Sequence, residues 1–364
     1  MTRFIIESAG PENSAELCQL IRSAPMSGAI SISLEREPDY FHAARVQGAD
    51  ASILIARDSN TGEAAGVGAI NRRLVYVNGS LQQVAYLSDL RIPSKYRGSR
   101  LLALAYAHIR EHLLKGDDFA QTIVVQDNLK ALSLLTSGRA GLPKYFPCGD
   151  YTCPAVLIGS PASHLSTSLE ILRATTEHIP AMQSFFDTHA SKKQFYPYYN
   201  FSSLGNAYML NQSLENFFLA FDKGFLVGIV GVWDQGAYKQ TRIQGYSGPL
   251  RWLRPLINSV STFTSGFTLP PPGSVIPSFY LHSMVIKDDD YRIFSQLIAA
   301  IRRTFNKSGY AYFLCGLDAR DPLRQSLQGL KTRSFGGRHF LVSFGNDPRV
   351  KLRSGLFYLE AARI

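Results

Sequence analysis

At 364 residues the chain is long for one domain, and its 45% hydrophobic and 18% charged composition is that of a globular protein with a large core, not of a disordered chain. No apolar run is long enough to span a bilayer, and the opening MTRFIIESAGPENS lacks the apolar stretch of a signal peptide, so a cytoplasmic protein without a membrane partner is expected. The formal net charge of +10 is dispersed over small groups such as Arg72 with Arg73 and Arg302 with Arg303, without an aromatic RNA-binding signature, which favours a solvated basic surface over nucleic-acid binding.

In chain order, residues 4–7 read as a strand, 14–21 and 40–46 as helices, 53–57 as a strand and 67–77 as part of a strand pair. Residues 84–92 form an apolar, β-prone run with Asp89 inside it, and Pro93 stops further sheet pairing. Apolar residues return at Leu101, Leu104, Ala105, Ala107 and Ile109 with helical spacing. The free N–H groups and positive dipole end of that helix's first turn, with Lys95, Arg97 and Arg100 around it, suit a phosphate. A strand at 121–125 follows, and a helix opens from Asp127 and Asn128.

Residues 160–168 are small and polar and read as a linker between a strand at 154–158 and another at 169–173. The expected division is a first domain at 1–160, a linker at 161–168 and a second domain at 169–364. The second carries an insertion-like region at 238–277 and a final apolar run at 356–364 read as a strand. Tyr86-Leu87 and Ile92 recur as Tyr280-Leu281 and Ile286, a spacing of 194 (280 − 86), each time followed by a charged turn and a helix. Duplication is the economical reading. In the second copy Asp288, Asp289 and Asp290 occupy the turn and would repel a pyrophosphate.

The 84–114 segment resembles the cofactor motif of the GCN5-related N-acetyltransferases, in which a strand enters an Arg/Gln-x-x-Gly-x-Gly/Ala turn before a helix. Tyr96, Arg97 and Gly98 match its opening, whereas Arg100 stands at the central glycine and Leu102 at the Gly/Ala position. Asn128, Ala131 and Leu134 match a second motif, and Leu135 stands where many members carry a tyrosine acid. The resemblance covers about residues 1–160 and implies an α/β fold of α+β mixed-sheet type: two tandem domains, each a mostly antiparallel mixed sheet flanked by helices, the C-terminal one degenerate. It further implies acetyl-CoA as cosubstrate, no metal, and acetyl transfer to a small amine or amino-acid-like acceptor by direct attack in a ternary complex.

On that reading Arg97, Gly98, Ser99, Arg100, Leu101 and Leu102 cradle the pyrophosphate, Leu90, Arg91 and Ile92 offer strand backbone to the pantetheine arm, and Asn128 joins the cofactor set. Asp89 is the first candidate for the base, because a carboxylate inside an apolar strand is paired, solvated or functional; an ion pair with Arg91 is its structural alternative. A terminal carboxylate at Ile364 is a second candidate. Tyr145, then Cys148, are candidates for the acid. The aromatic run 195–199 reads as core, with an acceptor-lining role as the alternative. Cys18, Cys148, Cys153 and Cys315 make no metal-ligand pattern, and Cys148 and Cys153 are expected to flank a hairpin as thiols; His282 and His339 have no ligand partners. The competing functions are an acyl-CoA-binding sensor or scaffold without turnover and, third, a nucleic-acid-associated basic protein.

Overall fold

The computed structural model describes residues 3–23, 25, 30–114, 118–139, 141–159, 168–264 and 269–364; the expected linker at 161–168 lies outside them except for its last residue. The N-terminal half runs β1 (Phe4–Ser8), α1 (Ser14–Arg22), β2 (Ile30–Glu35), α2 (Tyr40–Gln47), β3 (Asp50–Asp58), β4 (Ala64–Val77), β5 (Ser80–Arg91), α3 (Leu101–His112), β6 (Phe119–Val125), α4 (Leu129–Leu135) and β7 (Lys144–Leu157). The C-terminal half runs β8 (Glu170–Arg173), α5 (Ile179–Ala190), β9 (Tyr196–Pro197), β10 (Phe217–Asp222), β11 (Phe225–Trp233), β12 (Gln240–Tyr246), α6 (Leu250–Thr264), β13 (Ser278–Ile286), α7 (Tyr291–Phe305), β14 (Tyr312–Leu314), β15 (Leu317–Asp318) and β16 (Thr332–Ser343).

One 14-stranded sheet passes through both halves in the order β1-β3-β4-β5-β6-β16-β7-β14-β13-β11-β10-β8, with β9 on β4 and β15 on β7. In each half four strands pair antiparallel and the fifth pairs parallel: β5 with β6, and β13 with β14. The halves then exchange strands. β16, from the end of the chain, lies between β6 and β7, and β7 pairs with β14 of the other half. Gly337 permits this close approach, since a Cβ there would stand 2.6 Å from the Ile123 side chain. A smaller ribbon also joins the halves, β2 with β12, tied by Arg242 Nε donating to the buried Glu35 at 2.8 Å.

The apolar alternation of the central strands divides the core by face. Leu17, Ile21, Tyr40, Ile55 and Val67 pack under α1 and α2. Leu54, Ile70, Leu87, Leu102, Tyr106, Phe340 and Val342 pack on the α3 side, so β16 supplies part of the first half's core. The largest cluster joins α5, α7 and the second half's strands around Phe186, Phe217, Trp233, Phe279 and Phe294, and it reaches Tyr76 of β4.

The strand at 121–125 and helices at 14–21 and 40–46 stand where the sequence puts them. Cys148 and Cys153 lie along the single long strand β7, not across a hairpin, because β16 supplies its neighbour. The run at 356–364 is no strand: it makes one bridge, Gln194 with Phe357, and ends in a 3-10 turn over Ala361–Arg363, because it threads between the halves where Glu360 and Arg363 are buried.

Because β16 lies between β6 and β7 where the two halves join, truncating Phe340, which is 2% exposed, removes first-half core packing beside the strand that holds the continuous sheet together. Phe340→Ala is expected to cost about 3–5 kcal/mol and to preserve a single unfolding transition. Two resolved transitions in calorimetry, only one of them shifted, would show that the halves fold independently.

Candidate active site

β5 pairs with β6 only at Ala85 with Ala120 and Tyr86 with Gln121, and beyond that the two strands part. The Leu87 carbonyl faces the gap and is satisfied by the Thr122 hydroxyl, which donates at 2.9 Å. Two residues further on, β5 bulges against β4: the register shifts between Val67 and Ala69, and Asp89 takes φ 55°. A non-glycine residue in that region is held there by its surroundings.

Its surroundings come from the segment just after β2 and from the start of α2. Arg36 Nη2 donates to Asp89 Oδ1 at 2.7 Å, and the Tyr40 hydroxyl donates to Oδ2 at 2.8 Å. The side chains of Asp89 and Arg36 are 9% and 7% exposed. Burial pushes the Asp89 carboxyl up, but Arg36, Arg91 and Tyr40 outweigh it, so the carboxyl stays below its ordinary range and ionised. The partner is therefore Arg36 and not Arg91, whose guanidinium turns back to the Leu90 carbonyl.

After Pro93 the chain makes a short 3-10 turn over Ser94–Tyr96, and Gly98 at φ 79° redirects it into α3. Tyr96 anchors the turn, buried edge-on against Phe4. Arg97, Gly98, Ser99 and Arg100 are exposed. Arg97 Nε donates to the Ile92 carbonyl at 3.0 Å, and the Ser99 hydroxyl donates to the Tyr96 carbonyl at 2.7 Å. Lys95 is drawn aside into an ion pair with Glu63, which leaves Arg97 and Arg100 beside the helix start. Asn128 caps α4, its side chain accepting from Ala131 N–H at 3.2 Å.

Tyr145 and Asp89 are held on different elements. Tyr145 shares a hydrogen bond with Tyr106 of α3, packs edge-on against Phe340, and its phenol is kept neutral by burial. Cys148 is buried, its thiol donating to the Phe146 carbonyl and pushed up to about 12 by burial, which removes it as a thiolate at neutral pH.

Besides Arg36, one more group at this place carries no sequence signal. Lys239, from the region read as an insertion, lies half-buried over the Tyr280 ring at 4.7 Å and donates to the Ile364 carbonyl. Burial, then Arg36, pull its ammonium down to about 7, against the opposing pull of Asp89. Ile364 packs with Tyr86, Ile123 and Tyr280.

The equivalent position of the second half is filled by its own side chains. Ser283 stands 194 residues after Asp89 (283 − 89) and also has a positive φ, 48°. Its N–H donates to Glu360 at 3.1 Å, and that carboxyl also accepts from the Tyr358 hydroxyl at 3.0 Å. In the following turn Lys193 Nζ lies 2.7 Å from Asp289 and 3.3 Å from Asp321, and Asp290 caps α7 by accepting from Arg292 N–H. The aromatic run 195–199 is largely buried core, with Tyr196 stacked on Tyr358 at 4.0 Å. His282 hydrogen-bonds Gln212 and Ser283, and His339 hydrogen-bonds Gln121; among the described residues no group of three metal-ligating side chains occurs.

No protein-family model and no curated protein sequence matches this chain. Solved structures do. A GCN5-related N-acetyltransferase from Sphaerobacter thermophilus is 13% identical, with TM-score 0.54 over 98% of each chain. One from Anabaena variabilis ATCC 29413 is 16% identical, with TM-score 0.52 over 94% of this chain and 73% of that one. The Saccharomyces cerevisiae N-myristoyltransferase with bound myristoyl-CoA is 11% identical, with TM-score 0.59 over 94% of this chain and 83% of that one. The chain has the fold of the GCN5-related N-acetyltransferases along nearly its whole length.

Proposed function

We propose that the chain is an acyl-CoA-dependent N-acyltransferase whose donor site lies in the N-terminal half and whose acceptor is a small amine or amino-acid-like molecule. The observation that carries this reading is the parting of β5 from β6 beyond Tyr86, followed within a few residues by the bulge at Asp89 and the exposed Arg97–Arg100 turn. A gap between strands leaves backbone amides for a pantetheine arm, and a helix start flanked by two guanidinium groups suits a diphosphate. The acetyl- and myristoyl-transferring neighbours support an acyl-CoA donor, acetyl being the group implied by the sequence motif.

The amine nitrogen attacks the thioester carbonyl carbon, the carbon–sulfur bond breaks, and the sulfur leaves as CoA thiolate and takes up a proton. The nitrogen sheds its extra proton to a base, leaving an amide and CoA. Asp89, held as an anion by Arg36 and Tyr40, is a weak base at neutral pH and fixes the acceptor side of the strand. Lys239, pulled to about 7, has the matching basicity and takes the proton. Tyr145 keeps its proton to high pH and serves as the acid if the thiolate reaches it.

Two outcomes follow. Replacing both Arg97 and Arg100 by Ala weakens CoA binding by at least about 1.5 kcal/mol, roughly tenfold, in calorimetry; unchanged affinity contradicts the diphosphate assignment. A neutral lysine accepts protons only above its pKa, so kcat/KM for thiol release rises as pH increases through about 7 and then levels. Lys239→Met removes that limb while CoA affinity persists, and a limb surviving the substitution rules Lys239 out.

A further inference from the structure

A cavity of about 60 Å³ lies between the first half's sheet and α3. Leu54, Gly68 and Leu87 line it from the strands, and Leu102, Ala105 and Ile109 from the helix. The polar side chains at its wall are already engaged elsewhere. Ser88 donates to Gln47 and accepts from Asn71, and Tyr106 is bonded to Tyr145. No polar group therefore calls for water inside, and an apolar occupant is favoured.

The cavity shares wall residues with the donor site proposed above. Leu90 and Ile92 of the pantetheine strand, and Leu101 and Leu102 of the first turn of α3, all belong to its wall. The bulge separates two chemistries: Asp89 turns to Arg36 and Tyr40, while Leu90 faces the cavity. Across from the bulge stands Gly68, skipped by the β4–β5 register between Val67 and Ala69. A Cβ built at Gly68 would meet nothing within 4 Å, and its φ lies outside the left-handed region. Glycine is thus not demanded by the backbone there; what its hydrogen side chain does is leave the cavity open.

Resting on that donor site, we infer that this cavity seats the acyl tail, and that the enzyme prefers CoA esters of about four to six carbons, since a water-sized group needs roughly 10–15 Å³ of such space. An acetyl methyl leaves most of the volume unfilled, and a long chain exceeds it.

The test is calorimetric binding of free CoA and of acetyl-, butyryl-, hexanoyl- and decanoyl-CoA to the full chain, which needs no acceptor. Butyryl- or hexanoyl-CoA is expected to bind at least about tenfold more tightly than acetyl-CoA. Gly68→Leu from the strand side, or Ala105→Leu from the helix side, fills the space and abolishes that preference, with thermal unfolding confirming that each variant is folded. Acetyl-CoA binding as tightly as hexanoyl-CoA in the wild type, or a preference that survives both plugs, overturns the inference. If neither free CoA nor any ester binds, the donor-site reading itself fails and takes this one with it; if CoA binds without chain-length discrimination, only the acyl subsite fails.

Discussion

The separation of β5 from β6 after Tyr86 is the constraint from which the rest of the site follows. Two parallel strands that stop pairing inside a sheet expose donors and acceptors in a low-dielectric interior, where each unmet group is costly. Thr122 meets one of them by bonding the Leu87 carbonyl. The bulge at Asp89 then shifts the side-chain alternation of β5, so that a carboxylate faces one side and Leu90 the other. The ends of the gap are fixed by rigid neighbours, the buried Tyr96 on one side and the Arg36–Asp89 pair on the other.

The second half repeats the geometry with different electrostatics. β13 leaves β14 after Tyr280, 194 residues beyond Tyr86 (280 − 86), and Ser283 repeats the positive φ of Asp89. There the bulge amide already holds Glu360, and Lys193 is committed to Asp289 and Asp321. An arriving diphosphate would meet acidic groups and displace an ion pair, at a cost the first half does not impose. That asymmetry, together with Lys239 and Tyr280 lying close enough to Arg36 and Asp89 to act on them electrostatically, underlies the proposed division of roles, donor binding in one half and acceptor shaping in the other.

Much of this was legible in the sequence because its signals are local. The apolar run ending at Pro93, the turn at Gly98 and the helical spacing from Leu101 name the strand, turn and helix directly, and the echo at Tyr280 falls on a strand, β13, that is likewise followed by a turn and a helix. Strand exchange was not legible. β16 carries Gly336 and Gly337 at its centre, which weakens its alternation, and a strand's partner is decided by which edge remains open after the rest has folded. Arg36 and Lys239 were missed for a related reason: each sits at the end of a β2–β12 ribbon formed between residues about 200 apart, so neither belongs to a motif. The last residues were misread because an apolar run reads alike whether it joins a sheet or is buried irregularly between two bodies.

The most direct test of the account is a crystal structure of the full chain with CoA. The account requires the diphosphate to lie within hydrogen-bonding distance of the Arg97–Leu101 turn and the pantetheine to run between β5 and β6. A diphosphate seated instead at the turn before α7, or a gap between β5 and β6 closed by the protein's own side chains while CoA binds elsewhere, would contradict it.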